Sequence, residues 1–144
     1  MRRLALVLVA GLALAGCGGS SGTTTTDTTA AARAQIKSAY EKFFSSQTSS
    51  SDRVALLQNG STFEGVIRGF ASLPLAKNVS ATVSSVTLQG ANNAKVVYTD
   101  KLGSAGLPKQ TGTAVRQNGV WKVGNAGLCK LVSLQGSTPS ACKS

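Results

Sequence analysis

Val79-Ser80-Ala81-Thr82-Val83-Ser84-Ser85-Val86-Thr87-Leu88 is the stretch that decides the fold. Val79, Ala81 and Val83 alternate with polar residues, the period-two pattern of a strand with one buried face. Val86 and Leu88 alternate too, but on the opposite parity. A strand keeps one face buried across such a switch only by inserting a residue, so Ser84-Ser85 predicts a β-bulge. A bulge bends its strand and increases the local twist. The sheet containing it is expected to curl.

Downstream the same period continues. Gly90 to Asn93 reads as a turn, after which Ala94, Val96 and Tyr98 share a parity with Asp100 and Leu102. Gly103 to Pro108 is expected to be a loop, and Lys109 to Gln117 a third, weakly apolar and less buried strand. Asn118-Gly119 is the strongest two-residue hairpin signal there is. Val120 to Val123 then returns as a fourth strand. Leu128, Leu131 and Val132 have helical spacing and predict a short helical turn.

Upstream the period is helical. Ile36, Ala39, Tyr40, Phe43 and Phe44 form one apolar stripe of a helix over Ala30 to Ser46. Ser51 or Asp52 is expected to cap a second, short helix, with Val54, Leu56 and Leu57 inward and Gly60 just past its end. Ser61 and Glu64 have capping-box spacing ahead of a third helix that buries Phe63, Ile67 and Phe70 and stops at Pro74. Helices followed by strands make an α+β domain. We expect N-terminal helices packed on a curved four-stranded antiparallel sheet, one domain over residues 30–144.

The other end of the chain speaks of location. Arg2 and Arg3 precede an apolar run from Leu4 to Leu14, which ends in Leu14-Ala15-Gly16-Cys17. A basic start, a short apolar run and small residues make a secretory signal peptide, and the run is shorter than the ~20 residues a membrane span needs. Cysteine after Leu-Ala-Gly resembles the lipobox of bacterial lipoproteins. That resemblance implies removal of residues 1–16, lipid on Cys17 and an outer-face membrane anchor, since two acyl chains hold a protein stably. The other reading is a plain secretory signal that contains a cysteine. Gly18 to Thr29 is low in complexity, so residues 17–29 are expected to form a flexible Gly/Ser/Thr tether.

Composition excludes much chemistry. The chain has 15 Lys and Arg against 5 Asp and Glu, a formal charge of +10. A basic exported domain suits anionic partners such as lipid head groups or wall polymers, and another envelope protein is a further expected partner; the plainer alternative is a solvated basic surface. The cations are scattered singly, and no nucleic-acid motif is present. No histidine occurs, which removes the commonest general base and metal ligand. No metal site, cofactor or catalytic group is expected. After lipidation Cys129 and Cys142 remain, in an exported protein where a disulfide would persist. Their bridge would close a loop worth roughly 3 kcal/mol; the alternative is two free thiols. Asp100 is the carboxylate to watch. Its parity allows an inward position, but the strand end is expected to have reached solvent, with Asp100 paired to Lys101 or another surface cation.

Leu56-Leu57-Gln58-Asn59-Gly60, the hairpin leading into Trp121-Lys122-Val123, and Cys129 shortly after it resemble the low-molecular-weight antigen family of mycobacteria and other actinobacteria. The resemblance covers Ala31 to Leu134. It implies the cone-shaped, nuclear-transport-factor-2-like fold and an exported domain without established catalysis. If the cone is incompletely filled, Tyr40, Phe43, Tyr98, Asp100 and Trp121 would line a pocket. The expected function is a non-catalytic, membrane-anchored envelope lipoprotein that acts as an interaction or structural module. The alternative is a carrier or sensor of a small apolar ligand. Oligomeric state is not legible.

Overall fold

The computed structural model describes residues 23–133, 136 and 138–143. Cys17 and the expected signal peptide lie outside them. Helix α1 spans Thr23–Phe43, so it begins inside the stretch expected to be tether and ends before Ser46. Alanines 30–32 favour the helix. Once a helix is nucleated, each threonine added costs only ~0.7 kcal/mol relative to alanine and gains a hydrogen bond. The stripe is as expected: Ile36, Ala39, Tyr40, Phe43 and Phe44 are all buried. No helix among the described residues is long and apolar enough to cross a membrane.

Helix α2 covers Ser50–Leu56 and is capped by Ser49, whose hydroxyl accepts from the Asp52 N–H at 3.1 Å. The cap is earlier than expected because Asp52 sits in the first turn, where its carboxylate accepts from that same hydroxyl at 2.7 Å. Asn59, not Gly60, takes the left-handed conformation, with φ 52°. Gly60 is needed for another reason: a Cβ there would overlap the carbonyl oxygen of Val54. A 3-10 turn over Gly60–Phe63 leads directly into α3, Glu64–Ala71. Ser61 therefore lies within a helical turn, and the expected capping box does not form. Glu64 pairs instead with Arg68, one turn on. Pro74–Asn78 is a second 3-10 turn that delivers the chain to the sheet.

The sheet contains β1 (Val79–Leu88), β2 (Asn93–Leu102), the two-residue β3 (Ala105–Gly106), β4 (Gln110–Gln117) and β5 (Val120–Val123). It is antiparallel in the order β1-β2-β4-β5, with β3 folded back on the end of β2. The bulge is where the parity switch put it. Val83 pairs with Tyr98 and Ser85 with Val97, which leaves Ser84 as the extra residue. Helix α1 reaches the bulge as well, because Glu41 Oε1 accepts the Val83 N–H at 3.3 Å. Asn118 and Gly119 both have positive φ, 51° and 78°, which both central residues of a type I′ turn require. The loop expected over Gly103 to Pro108 contains β3.

The α+β architecture is thus helices followed by a curled antiparallel sheet, a half-barrel whose inner face holds α1. Each fully buried large apolar side chain there contributes about 1.5–3 kcal/mol. Helix α4, Asn125–Ser133, runs past β4 and buries Leu128 and Val132.

Candidate functional site

The centre of the half-barrel is aromatic. Tyr40 of α1 and Tyr98 of β2 meet over the inner face with ring centroids 5.1 Å apart. Phe44 stacks on Tyr98 at 5.4 Å, and Phe43 stands edge-on to Phe44 at 5.0 Å. The Tyr40 hydroxyl donates to the carbonyl of Thr113 at 2.6 Å. The sheet has room for these rings because Gly112 lacks a side chain. A Cβ there would overlap Tyr40 Oη and lie 3.1 Å from Tyr98 Cε1.

Asp100 lies one pleat along from Tyr98 on the same face. It is only 4% exposed, which corrects the expectation of a solvated carboxylate paired to a surface cation. The strand does not end there. Asp100 pairs with Ala81, the ladder runs on to Val79 and Leu102, and β3 covers the far side. Its Oδ2 accepts from Gln110 Nε2 at 3.2 Å, whereas Oδ1 is sealed from solvent without a partner. Burial pushes the carboxyl up to about 6. The Tyr98 phenol is pushed up to about 12, by burial first and by Asp100 second. Tyr40 is raised further, by burial, Tyr98 and Asp100 in that order. A general base must come within hydrogen-bond reach of its substrate or of a bridging water. Here Oδ1 is sealed from solvent on the inner face of the sheet, and Oδ2 is held by Gln110.

Beside the aromatic centre is a narrow apolar cavity of about 20 Å³, walled by Phe43, Phe44, Ile67, Phe70, Val79 and Leu128. Among the expected pocket residues only Phe43 lines it. Tyr40, Tyr98, Asp100 and Trp121 are buried elsewhere in the packed core. The cavity also meets Arg53, which is 6% exposed. Arg53 Nη2 donates to the carbonyl of Ser45 just past the end of α1, at 2.7 Å, while Nε has no partner. Burial lowers its pKa. Sequence reasoning passed over this residue because of its charge. The spacing was legible: Arg53 lies one helical turn before Leu57, on the stripe that turns inward.

Trp121 is buried on β5 beside α1, two residues after the hairpin. Eight residues beyond Trp121, Cys129 of α4 is bonded to Cys142 in a 3-10 turn over Ser140–Cys142, with Cα atoms 5.5 Å apart. This bridge pins the C-terminal segment to the domain, as expected. The motifs that carried the resemblance thus fall on one continuous wall: α2 and the turn after it, β5, and α4. The family profile described as low molecular weight antigen MTB12, C-terminal domain, matches residues 28–139. The chain belongs to this family. The match to the antigen family runs from α1 through α4 and past it, further at each end than the stretch that showed the resemblance. Within the family domain lie Tyr40, Tyr98, Asp100 and Trp121; Cys17 precedes it and Cys142 follows it. Comparison with curated proteins finds no match.

Proposed function

We propose that this antigen-family domain is exported, carries lipid on Cys17 and works at the outer face of the cell membrane as a non-catalytic interaction module. The observation that carries the reading is the filled centre. Tyr40 and Tyr98 occupy the space above Gly112 where a cone-shaped carrier or enzyme would hold a ligand. Membership of an antigen family suits an exported domain. The Leu14-Ala15-Gly16-Cys17 pattern supports the anchor. Five residues separate Cys17 from the start of α1 at Thr23. Their reach is at most ~20 Å, so the module would work close to the bilayer.

Membrane fractionation of Cys17→Ala against the unaltered chain tests the anchor. Release of the variant into the soluble fraction is the expected result, and full sedimentation with membranes would refute it. Native mass spectrometry after exposure to an envelope extract tests the rest. A bare protein mass supports the interaction module.

One observation favours the carrier reading: the apolar cavity meets an unpartnered Arg53 Nε. At about 20 Å³ the cavity holds no more than a water. A ligand would have to displace side chains that wall the cavity. A discrete retained mass in the same experiment would establish this reading in place of the first.

A further inference from the structure

The cations look scattered along the sequence, but the fold sorts them from the carboxylates. Beyond Glu64 the one acidic side chain is Asp100, and it is buried on the inner face of the sheet. Glu41, Asp52 and Glu64 are on helices. The outer face of the sheet therefore has no carboxylate. It does have lysines. Lys95 and Lys101 alternate outward from β2, opposite in parity to buried Ala94, Val96, Tyr98 and Asp100. Lys122 of β5 pairs with Val115, which pairs with Asn93, so it lies on the same face. Lys130 joins from α4, and Lys109 precedes β4. Among the described residues none of these five is in an ion pair, because the face offers no acid.

The surface between the lysines is rich in hydroxyls. Thr87, Lys95 and Thr113 form one cross-strand row, and Ser85, Val97 and Thr111 form the next. Where α4 passes the sheet, a depression of about 330 Å³ opens between Gln89, Lys95, Thr111, Thr113, Gly127 and Lys130. A lysine stands on either side of it. Lys95 and Lys101 are six residues apart on one strand, which separates their charges by ~20 Å.

We infer that this outer face is a docking surface for a linear anionic polymer, a chain bearing phosphodiester or uronate groups. Charge complementarity selects an anion, and the hydroxyl rows supply hydrogen bonds to its oxygens. Curvature selects a chain over a bilayer. The sheet wraps α1 on its inside, so its outer face is convex. A plane meets a convex face at few points, whereas a flexible polymer follows it from lysine to lysine. This inference rests on the interaction-module reading and names the partner of that module.

The test uses the full chain with immobilised polyphosphate and polygalacturonate, and neutral dextran as the blank. Binding to both polyanions is expected, weakening steeply between about 50 and 200 mM salt as bound counterions are released. Lys95→Gln/Lys122→Gln/Lys130→Gln should weaken binding by about tenfold or more. Arg33→Gln/Lys42→Gln/Lys77→Gln removes equal charge away from the outer face and should change binding less than about twofold. All these side chains are exposed or half-buried, so unchanged thermal melts would verify the fold. Equal weakening by the two triple variants would overturn the surface, and so would absence of binding at the lower salt. Tighter, lysine-dependent binding to anionic vesicles than to either polymer would overturn the choice of partner. A chain that fractionates as soluble yet binds polyanion through these lysines refutes the anchor and leaves the surface standing. An anchored chain without lysine-dependent binding refutes the surface alone.

Discussion

The Tyr40 hydroxyl donates to the main-chain carbonyl of Thr113 at 2.6 Å, joining α1 to β4 across 73 positions of sequence. The neighbouring Gly112 has no side chain, and the phenol occupies the space a Cβ would take. The two residues are therefore coupled. Tyr40→Phe should destabilise the domain by about 1–2 kcal/mol, the cost of a lost buried hydrogen bond. Gly112→Ala should cost about 1–3 kcal/mol through overpacking. With the hydroxyl already removed, the alanine should cost at least ~0.5 kcal/mol less, so the double variant is less impaired than the sum. Urea denaturation of all four proteins measures this; simple additivity would contradict the contact.

Asp100 should make the domain more stable in mild acid. Its carboxyl is raised from 3.8 to about 6 by burial, so the folded state holds this proton more tightly than the unfolded chain does. Stability contributed by the proton is complete below about 4, is lost as pH rises towards 6, and is absent at pH 7. Two pH units correspond to about 3 kcal/mol. Denaturation midpoints for the unaltered chain should fall between pH 4.5 and pH 7. Asp100→Asn, which keeps an acceptor for Gln110, should flatten that slope and raise stability at pH 7. A slope that persists in the variant would assign the effect to other groups.

Gly60 permits close passage of two backbones. Its Cβ position coincides with the carbonyl oxygen of Val54, which is main chain and cannot step aside. Gly60→Ala should cost about 2–3 kcal/mol, well above the effect of an alanine at an open site. Gly65→Ala is the control, since nothing lies within 4 Å of its Cβ position. In α3 that alanine should stabilise slightly, by ~0.5–1 kcal/mol. Equal effects at the two positions in thermal melts would refute the packing argument.

The Cys129–Cys142 bridge closes a loop of sequence separation 13. Replacing both cysteines with serine should cost about 3 kcal/mol in the chain-entropy model. The loss should appear as a lower melting temperature and as faster proteolysis of the C-terminal segment. Reduction of the unaltered protein should reproduce both. Thiol labelling of the unreduced protein in full yield would show that the bond is not made.

Local signals were readable because neighbours in sequence determine them. The change of parity at Ser84-Ser85 located the bulge, and Asn118-Gly119 located a turn whose positive φ values suit those two residues. The stripe from Ile36 to Phe44 located the buried face of α1. Boundaries were less legible. Helix α1 starts at Thr23 because propagation is cheap once the alanines are helical, and Ser61-Glu64 matched a capping box that an earlier 3-10 turn pre-empted.

The sequence alone determined the order of the helices and the four main strands, the curl of the sheet and the cysteine pair available for a bond. These follow from period, turn chemistry and residue type, which act over a few positions; the family was legible separately, as a resemblance of motifs. Only the tertiary structure decided the fate of the charges. Asp100 is buried because β1, β3 and β4 close over the end of β2, and Arg53 because α2 docks against the end of α1. The lysines of the outer face share one surface because β2, β5 and α4, distant in sequence, meet there. Burial and charge neighbourhood are set by whatever packs from elsewhere in the chain, and one-dimensional spacing does not carry that information.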